Sequence, residues 1–478
     1  MILRLLPLVI LLLLRFYDLG IRPPHHDEAV NGWFVDGILN RGYYVYDPQN
    51  YHGPLFFYIL TVFEKIFGRG IVWLRVVPVI FGSLISFTPF LFTKWLGRWG
   101  TWIAAIIFTV SPALIFFSRY AIHETLFTLS CILFFYFWLR VKEEGFTKKT
   151  IWGFGLTLGA MATVKENFVL FGGALCMAEG VFALWDKKLP FAFTKKFWIG
   201  LSLAVLIAAV MIIVFFSGFF QDSNGIPNFF SAFEFWSQTG EKGNGHQKPF
   251  EYWLKIMGSL EWYALFGLLI SPFVVLSKKF SKEVRLTGLM SLFLWLIYSV
   301  VSYKTPWCVL SFYWGFVFLA SLWIGRWIES LKKGTWKGWI LLPFGIGCCV
   351  SLYQAYDVAY LNPDQEGHYY IYGQTFHDML GPVNEILDRA KTNPALKSTL
   401  RIEVISSFTW PLPYLLGEFK QTAYYGEKNV PATLEADEII MDKAYETQFA
   451  SRMKGTYSRE EVRSRQWAGP IVFYRRTQ

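Results

Sequence analysis

Apolar runs of about 18–25 residues recur along this chain, separated by short polar loops. Each run is long enough to cross a hydrocarbon core of ~30 Å. The runs are continuously apolar rather than alternating, which predicts helices and argues against barrel strands. Eleven spans are expected, near 1–18, 72–94, 100–117, 122–140, 150–164, 167–185, 197–217, 253–276, 285–302, 306–327 and 338–357. Two shorter stretches are amphipathic. One is 28–40, with Ala29, Val30, Trp33, Phe34 and Ile38 on one stripe. The other, "PLFFYILTVFEKIF" (54–67), opens with a proline suited to a first helical turn and carries Glu64 and Lys65. Both are short for a span and are expected to lie along the membrane within the first outer loop.

Beyond residue 357 the pattern changes. Charges return and apolar runs shorten to strand length in "RIEVIS" (401–406), "DEIIMD" (437–442) and "PIVFYRR" (470–476). Helix-like stretches lie near 375–391, 410–419 and 443–453. The expected organisation is therefore a polytopic α-helical membrane domain, 1–357, followed by a small α/β domain outside the membrane, 358–478. Composition agrees: 54% of the 478 residues are hydrophobic and only 17% charged, with mean hydropathy +0.35, too little charge for a soluble chain of this length. Residues 1–17 are read as an uncleaved first helix, because Arg15, Tyr17 and Asp18 stand where a small-residue cleavage site would be.

The net charge of +10 does not point to nucleic acid, because its Lys and Arg residues sit in clusters between apolar runs. About eighteen occupy one set of alternating loops, against about five in the other set counted between the third and tenth spans (Arg119, Lys165, Lys242, Lys248 and Lys304). The first set is expected to be cytoplasmic. The N-terminus is then inside, the tail outside, and the host membrane a plasma (inner) membrane. The five cysteines lie in apolar runs without a CxxC spacing, so neither disulfides nor thiolate metal sites are expected. The tail carries no GxGxxG or GxxxxGK[ST] to mark a nucleotide site.

Ionisable groups beside a spanning helix are costly, which makes them functional candidates. Here they gather in the outer turns: "HHDE" (25–28), "NYHGP" (50–54), "SRYAIHE" (118–124), "VKEN" (164–167) and "YKTPW" (303–307). The inner loops hold mostly Lys/Arg clusters. This asymmetry predicts one polar site at the outer face. Structural alternatives stand beside it. Asp27 can cap a helix starting at Glu28, and Arg119 can snorkel. Lys165 with Glu166 can form an ordinary loop pair, and His26 with Asp27 can instead hold a divalent metal. A carboxylate with several cations suits sugar transfer from a polyprenyl-phosphate carrier: a carboxylate base deprotonates an acceptor hydroxyl, and fixed cations or a metal receive the departing phosphate. A transporter would instead be expected to show charges near mid-bilayer and repeated topology.

Taken together, "HHDEAV", "YHGPLFFY", "SRYAIHE", "VKEN", "YKTPW", "NPDQEGHYYIYGQT" and "WPLPYLL" resemble the GT-C membrane glycosyltransferases. The resemblance is greatest to the branch of protein O-mannosyltransferases and aminoarabinose transferases, and within it to a prokaryotic subfamily associated with flippase activity. It implies a lipid-phosphate-sugar-dependent, inverting transferase. Asp27 matches the first-loop acid, the general base. Glu124 matches a second acid that is more often Asp in the wider family. Arg119 and Lys304 match carrier-phosphate contacts. The catalytic set is then Asp27, Glu28 and Glu124, and the donor-phosphate or substrate set is His52, Arg119, His123, Lys165, Glu166, Tyr303 and Lys304. The expected partners are a polyprenyl-phosphate-linked sugar, the bilayer, and a glycan, lipid or protein acceptor. Some relatives bind a divalent metal, for which His26 and Asp27 are the candidate ligands. A non-catalytic binding or translocation partner for lipid-linked glycans is the alternative reading.

Overall fold

The apolar runs fold as helices, with breaks that local chemistry explains. A computed structural model describes residues 8–9, 11–241, 246–331 and 338–477. Residues 1–7 of the first expected span lie outside the described residues, as does Lys242. Six helical segments among the described residues are long and apolar enough to cross a membrane: Ile71–Val110, Glu124–Glu144, Phe168–Asp186, Lys195–Phe216, Lys282–Val300 and Pro306–Ser330. The first contains the expected 72–94 span and the start of the 100–117 span. It comprises Ile71–Ile85, the 3-10 turn Thr88–Phe92 and Thr93–Val110, bent where Gly97 takes φ 69°.

The other expected spans are shorter or broken. The 100–117 run divides at Ser111, which is extended because Pro112 follows it. Residues 253–276 form two helices, Tyr252–Ser259 and Trp262–Leu276, while 150–164 is a 17-residue helix, Lys148–Val164. The short apolar stretch forms Leu55–Phe67, burying Phe56, Phe57, Leu60 and Glu64 on one side. Helices that start from the Lys-rich loops are capped by Thr147, Thr194 and Ser281, whose hydroxyls accept the exposed first-turn N–H groups. Small residues bring helices close together. A Cβ on Gly267 would meet the Phe316 carbonyl oxygen at 1.9 Å, so Trp262–Leu276 lies directly on the backbone of Pro306–Ser330.

The chain divides into two compact units, 1–19 with 37–361 and 20–36 with 362–478. The segment carrying "HHDE" therefore groups with the tail, although sequence order puts it in the first loop of the membrane domain. Its helix runs His26–Arg41, two residues earlier than expected. Ala29, Phe34 and Ile38 of the expected stripe are buried, as is Val35, whereas Trp33 is half exposed.

The second unit is built on a five-stranded sheet of order β2-β1-β3-β5-β4. The strands are β1 (Arg401–Ile405), β2 (Gln421–Tyr425), β3 (Glu438–Asp442), β4 (Tyr457–Arg463) and β5 (Pro470–Arg476). β1 runs parallel to both β2 and β3, whereas β5 is antiparallel to β3 and β4. Alternation along the inner strands supplies two cores. Ile402, Val404, Ile440, Ile471 and Phe473 pack with Val383 and Ile386 of helix Leu380–Thr392. Ile439, Met441, Val472 and Tyr474 form the other core with Leu434 and Phe449.

Candidate functional site

The expected site residues fall into two groups, one in each unit. In the membrane unit, two helix junctions bring together His52, His123, Glu124, Lys165 and Glu166. Glu124 is the first residue of Glu124–Glu144, and Lys165 ends Lys148–Val164 in an extended conformation. The Lys165 ammonium donates to Glu124 with both side chains buried. Next in sequence, Glu166 accepts from His52 Nδ1 at 3.0 Å. The His52 ring lies 4.7 Å from that of His123, which also packs on Phe56 at 4.6 Å. His123 Nε2 is buried without a hydrogen-bond partner among the described residues. His52 is the most accessible member of the pairs, at 28% exposure against 5% for Glu166.

Gly53 makes this arrangement possible. Its N–H donates to the Val164 carbonyl at 3.1 Å, and a Cβ there would lie 2.2 Å from the Thr163 oxygen. Only glycine lets the "YHGP" turn dock on the end of Lys148–Val164, and that docking sets His52 against Glu166.

Arg119 is held largely by backbone carbonyls. Its guanidinium donates to the carbonyls of Arg15, Tyr17 and Asp18 and to the Tyr360 hydroxyl, and it lies 4.2 Å from the Tyr360 ring centroid. Four acceptors engage the fork, so Arg119 clamps the backbone at the end of the first apolar run. Arg15 does similar work at the break before Pro112. Proline has no N–H for the Phe108 carbonyl, and Arg15 donates to it at 2.6 Å and to the Thr109 carbonyl at 3.0 Å. The Ala113 N–H freed by the same break donates to buried Glu261 at 2.6 Å. Sequence reasoning missed Glu261. Its one signal was an acid within the apolar 253–276 run.

Lys304 is buried, and its ammonium donates to the carbonyls of Val301 and Lys248, the latter at 3.1 Å. Tyr303 bridges to Gln247, with its ring 4.9 Å from that of His246.

In the second unit "HHDE" makes a helix cap, with His25 rather than Asp27 as the capping residue. His25 Nδ1 accepts the Asp27 N–H at 3.0 Å, and Glu28 reaches back to the His25 N–H at 3.0 Å. That is the reciprocal logic of a capping box. With Nδ1 accepting, the ring proton sits on Nε2 and donates to the Tyr372 carbonyl at 2.8 Å. Burial pulls the His25 imidazole down to about 4, so it stays neutral. Glu28 is wholly buried, 3.8 Å from Arg22. Its cap bond and burial give it a structural role at the helix start. Asp27 is 39% exposed at the same helix start.

Arg465, which carried no sequence signal, donates to His26 Nδ1 at 2.8 Å. The Asp27 charge favours the Arg465 cation against the cost of its burial. Trp410 lies edge-on to His26 at 6.0 Å, and Arg465 lies over Phe408. This donor set does not fit the expected metal. The His26 Nδ1 lone pair is taken by a guanidinium, and a fixed cation stands where an ion would bind. Among the described residues no three His, Cys, Asp or Glu side chains gather as a metal site.

Residues 51–215 match the family of dolichyl-phosphate-mannose-protein mannosyltransferases, a segment shorter than half of the chain. No curated protein matches the sequence. Among solved structures, the fold is similar to that of ArnT from Cupriavidus metallidurans bound to undecaprenyl phosphate: TM-score 0.68 at 14% identity, covering 98% of this chain and 97% of that one. It is also similar to AglB from Archaeoglobus fulgidus, an oligosaccharyltransferase in complex with an inhibitory peptide and a dolichol-phosphate. There the TM-score is 0.59 at 11% identity, covering 92% of this chain and 69% of that one. The arabinofuranosyltransferase AftD from Mycobacteria aligns with TM-score 0.53 at 13% identity, over 98% of this chain but 39% of its own length. The fold is that of the GT-C membrane glycosyltransferases, as the motifs led us to expect.

Proposed function

We propose that this protein is a membrane glycosyltransferase that moves a sugar from a polyprenyl-phosphate carrier to an acceptor hydroxyl. One observation carries the reading. The set of His52, His123, Glu124, Lys165 and Glu166, all but His52 buried, lies wholly within the segment that matches the mannosyltransferase family. Undecaprenyl phosphate bound to ArnT and dolichol-phosphate bound to AglB support the choice of donor class.

In this proposal Asp27 is the general base. It takes the acceptor proton as that oxygen attacks the anomeric carbon. The bond from that carbon to the phosphate oxygen breaks, and the phosphate leaves with the electron pair, inverting the centre. Asp27 is the choice because Glu28 and Glu124 are buried, while Asp27 keeps solvent access. Lys165 and Lys304 are the proposed phosphate cations, and Lys304 has a third N–H beyond the two held by carbonyls. His52, His123 and Glu166 orient the substrate. Tyr303, beside Lys304 in sequence, contacts the carrier. The acceptor is a glycan, lipid or protein. The charge distribution supports a cytoplasmic N-terminus and an outer-face reaction in a plasma (inner) membrane.

The test is transfer of labelled sugar from a polyprenyl-phosphate donor by purified protein, compared with Asp27→Asn. Transfer by the unaltered protein, abolished in the variant, is expected. Undiminished transfer by Asp27→Asn removes Asp27 from the base role. Carrier binding without turnover by the unaltered protein would select the non-catalytic partner instead.

A further inference from the structure

A groove remote from these residues lies between helices Glu124–Glu144, Lys148–Val164, Phe168–Asp186 and Lys195–Phe216, at the ends joined by the Lys-rich loops. Its volume is about 390 Å³, and rings of Trp138, Phe154, Phe191, Phe197 and Trp198 line it. One charged side chain lines it, Glu179, which is buried in the middle of this apolar surface.

The two oxygens of Glu179 are treated unequally. Oε1 accepts from the Lys142 ammonium and from Trp138 Nε1, the latter at 2.8 Å. Oε2 is buried with no partner among the described residues. An acceptor left bare in an apolar wall is costly, and a bound donor removes that cost. Its chemistry restricts the donor. Lys142 already balances the Glu179 charge, so an ammonium head would stand beside a like charge. A phosphate or carboxylate head would face a bare carboxylate oxygen. An uncharged O–H fits. At about 30 Å³ per water-sized group the volume takes roughly a dozen such groups, room for the head and adjoining part of one chain.

We propose that this groove binds a single-chain lipid alcohol, with its hydroxyl donating to Glu179 Oε2 and its chain against the aromatic wall. The site is independent of the transferase reading.

Cys176 also lines the groove and is exposed, so its alkylation reports occupancy. The full chain in phosphatidylcholine nanodiscs is treated with a maleimide, and Cys176 modification is read by peptide mass spectrometry. Hexadecanol, hexadecylamine and hexadecyl phosphate are titrated in parallel. Hexadecanol is expected to slow Cys176 modification at least tenfold and saturably, with little protection by the other two. Glu179→Leu should lose the preference for the alcohol. Because that variant also breaks the Lys142 pair, Gly180→Leu is the second probe. Gly180 lines the groove with open space where its Cβ would be. The new side chain should therefore block hexadecanol while leaving Glu179 paired. Equal protection by all three amphiphiles, no protection by any, or undiminished hexadecanol protection in Gly180→Leu would each overturn the proposal.

Discussion

Gly53→Ala tests the docking that assembles the membrane-unit cluster. The added Cβ would lie 2.2 Å from the Thr163 oxygen and 2.4 Å from the Thr163 carbonyl carbon, where 3.4 Å is ordinary contact. Both are backbone atoms at the end of a packed helix and cannot swing aside. The turn must therefore retreat by about 1.2 Å. His52 Nδ1, now 3.0 Å from Glu166, would then stand beyond hydrogen-bond range. Losing a bond to a charged group costs ~1.5–3 kcal/mol, and the Gly53 N–H to Val164 bond adds ~1 kcal/mol. The expected destabilisation is about 2.5–4 kcal/mol. Thermal unfolding in detergent measures it, alongside sugar transfer, which should fall because His52 is displaced. A double-mutant cycle isolates the cause: His52→Ala should cost little further once Gly53→Ala is present. Unchanged stability in Gly53→Ala, or full additivity with His52→Ala, would refute this account of the turn.

The second unit should lose stability in mild acid. His25 has its folded value at about 4 against 6.5 when unfolded, so as pH falls the unfolded chain takes up the proton first. Stability is full above pH ~6.5 and declines toward pH ~4 by about 3 kcal/mol, at ~1.36 kcal/mol per pH unit. Hydrogen exchange of residues 20–36 and 362–477 measures this, and His25→Gln should flatten the dependence. Glu124→Gln strands the buried Lys165 ammonium and should cost ~3–5 kcal/mol in thermal unfolding, whereas an exposed pair would cost under ~1 kcal/mol. Gly32→Ala would place a Cβ 2.4 Å from the buried Tyr414 ring and should loosen segment 20–36, read as faster limited proteolysis there. Arg119→Lys should lower the melting temperature, because an ammonium has three N–H groups for the four acceptors that Arg119 holds.

Much of this was legible because the signals are local. Continuous apolar runs marked most spans, and short apolar runs of strand length marked β1, β3 and β5. β2 (QTAYY) and β4 (YSREEVR) escaped because they are the sheet edges and bury little, so no core-facing stripe distinguishes them. The outer-turn motifs "YHGP", "AIHE" and "VKEN" come together in the membrane unit. They could not reveal that Lys165 pairs with Glu124 while Glu166 takes His52, since adjacent residues point to different partners across a fold. The partners of Arg119 were hidden for a related reason. A guanidinium that would suit phosphate suits backbone carbonyls equally, and the choice depends on which carbonyls a helix break has left bare.

The sequence alone determined that this chain forms membrane helices followed by an α/β domain, because burial of apolar surface and strand alternation act through the order of residues. Tertiary structure alone decided the role of each polar group. It assigned "HHDE" to the unit of the tail, turned Glu28 into a cap and set Arg465 on His26 from 439 residues away. Such pairings depend on which surfaces meet after folding. Hydrogen bonds and charges reach only a few ångströms, so separation along the chain carries no record of them.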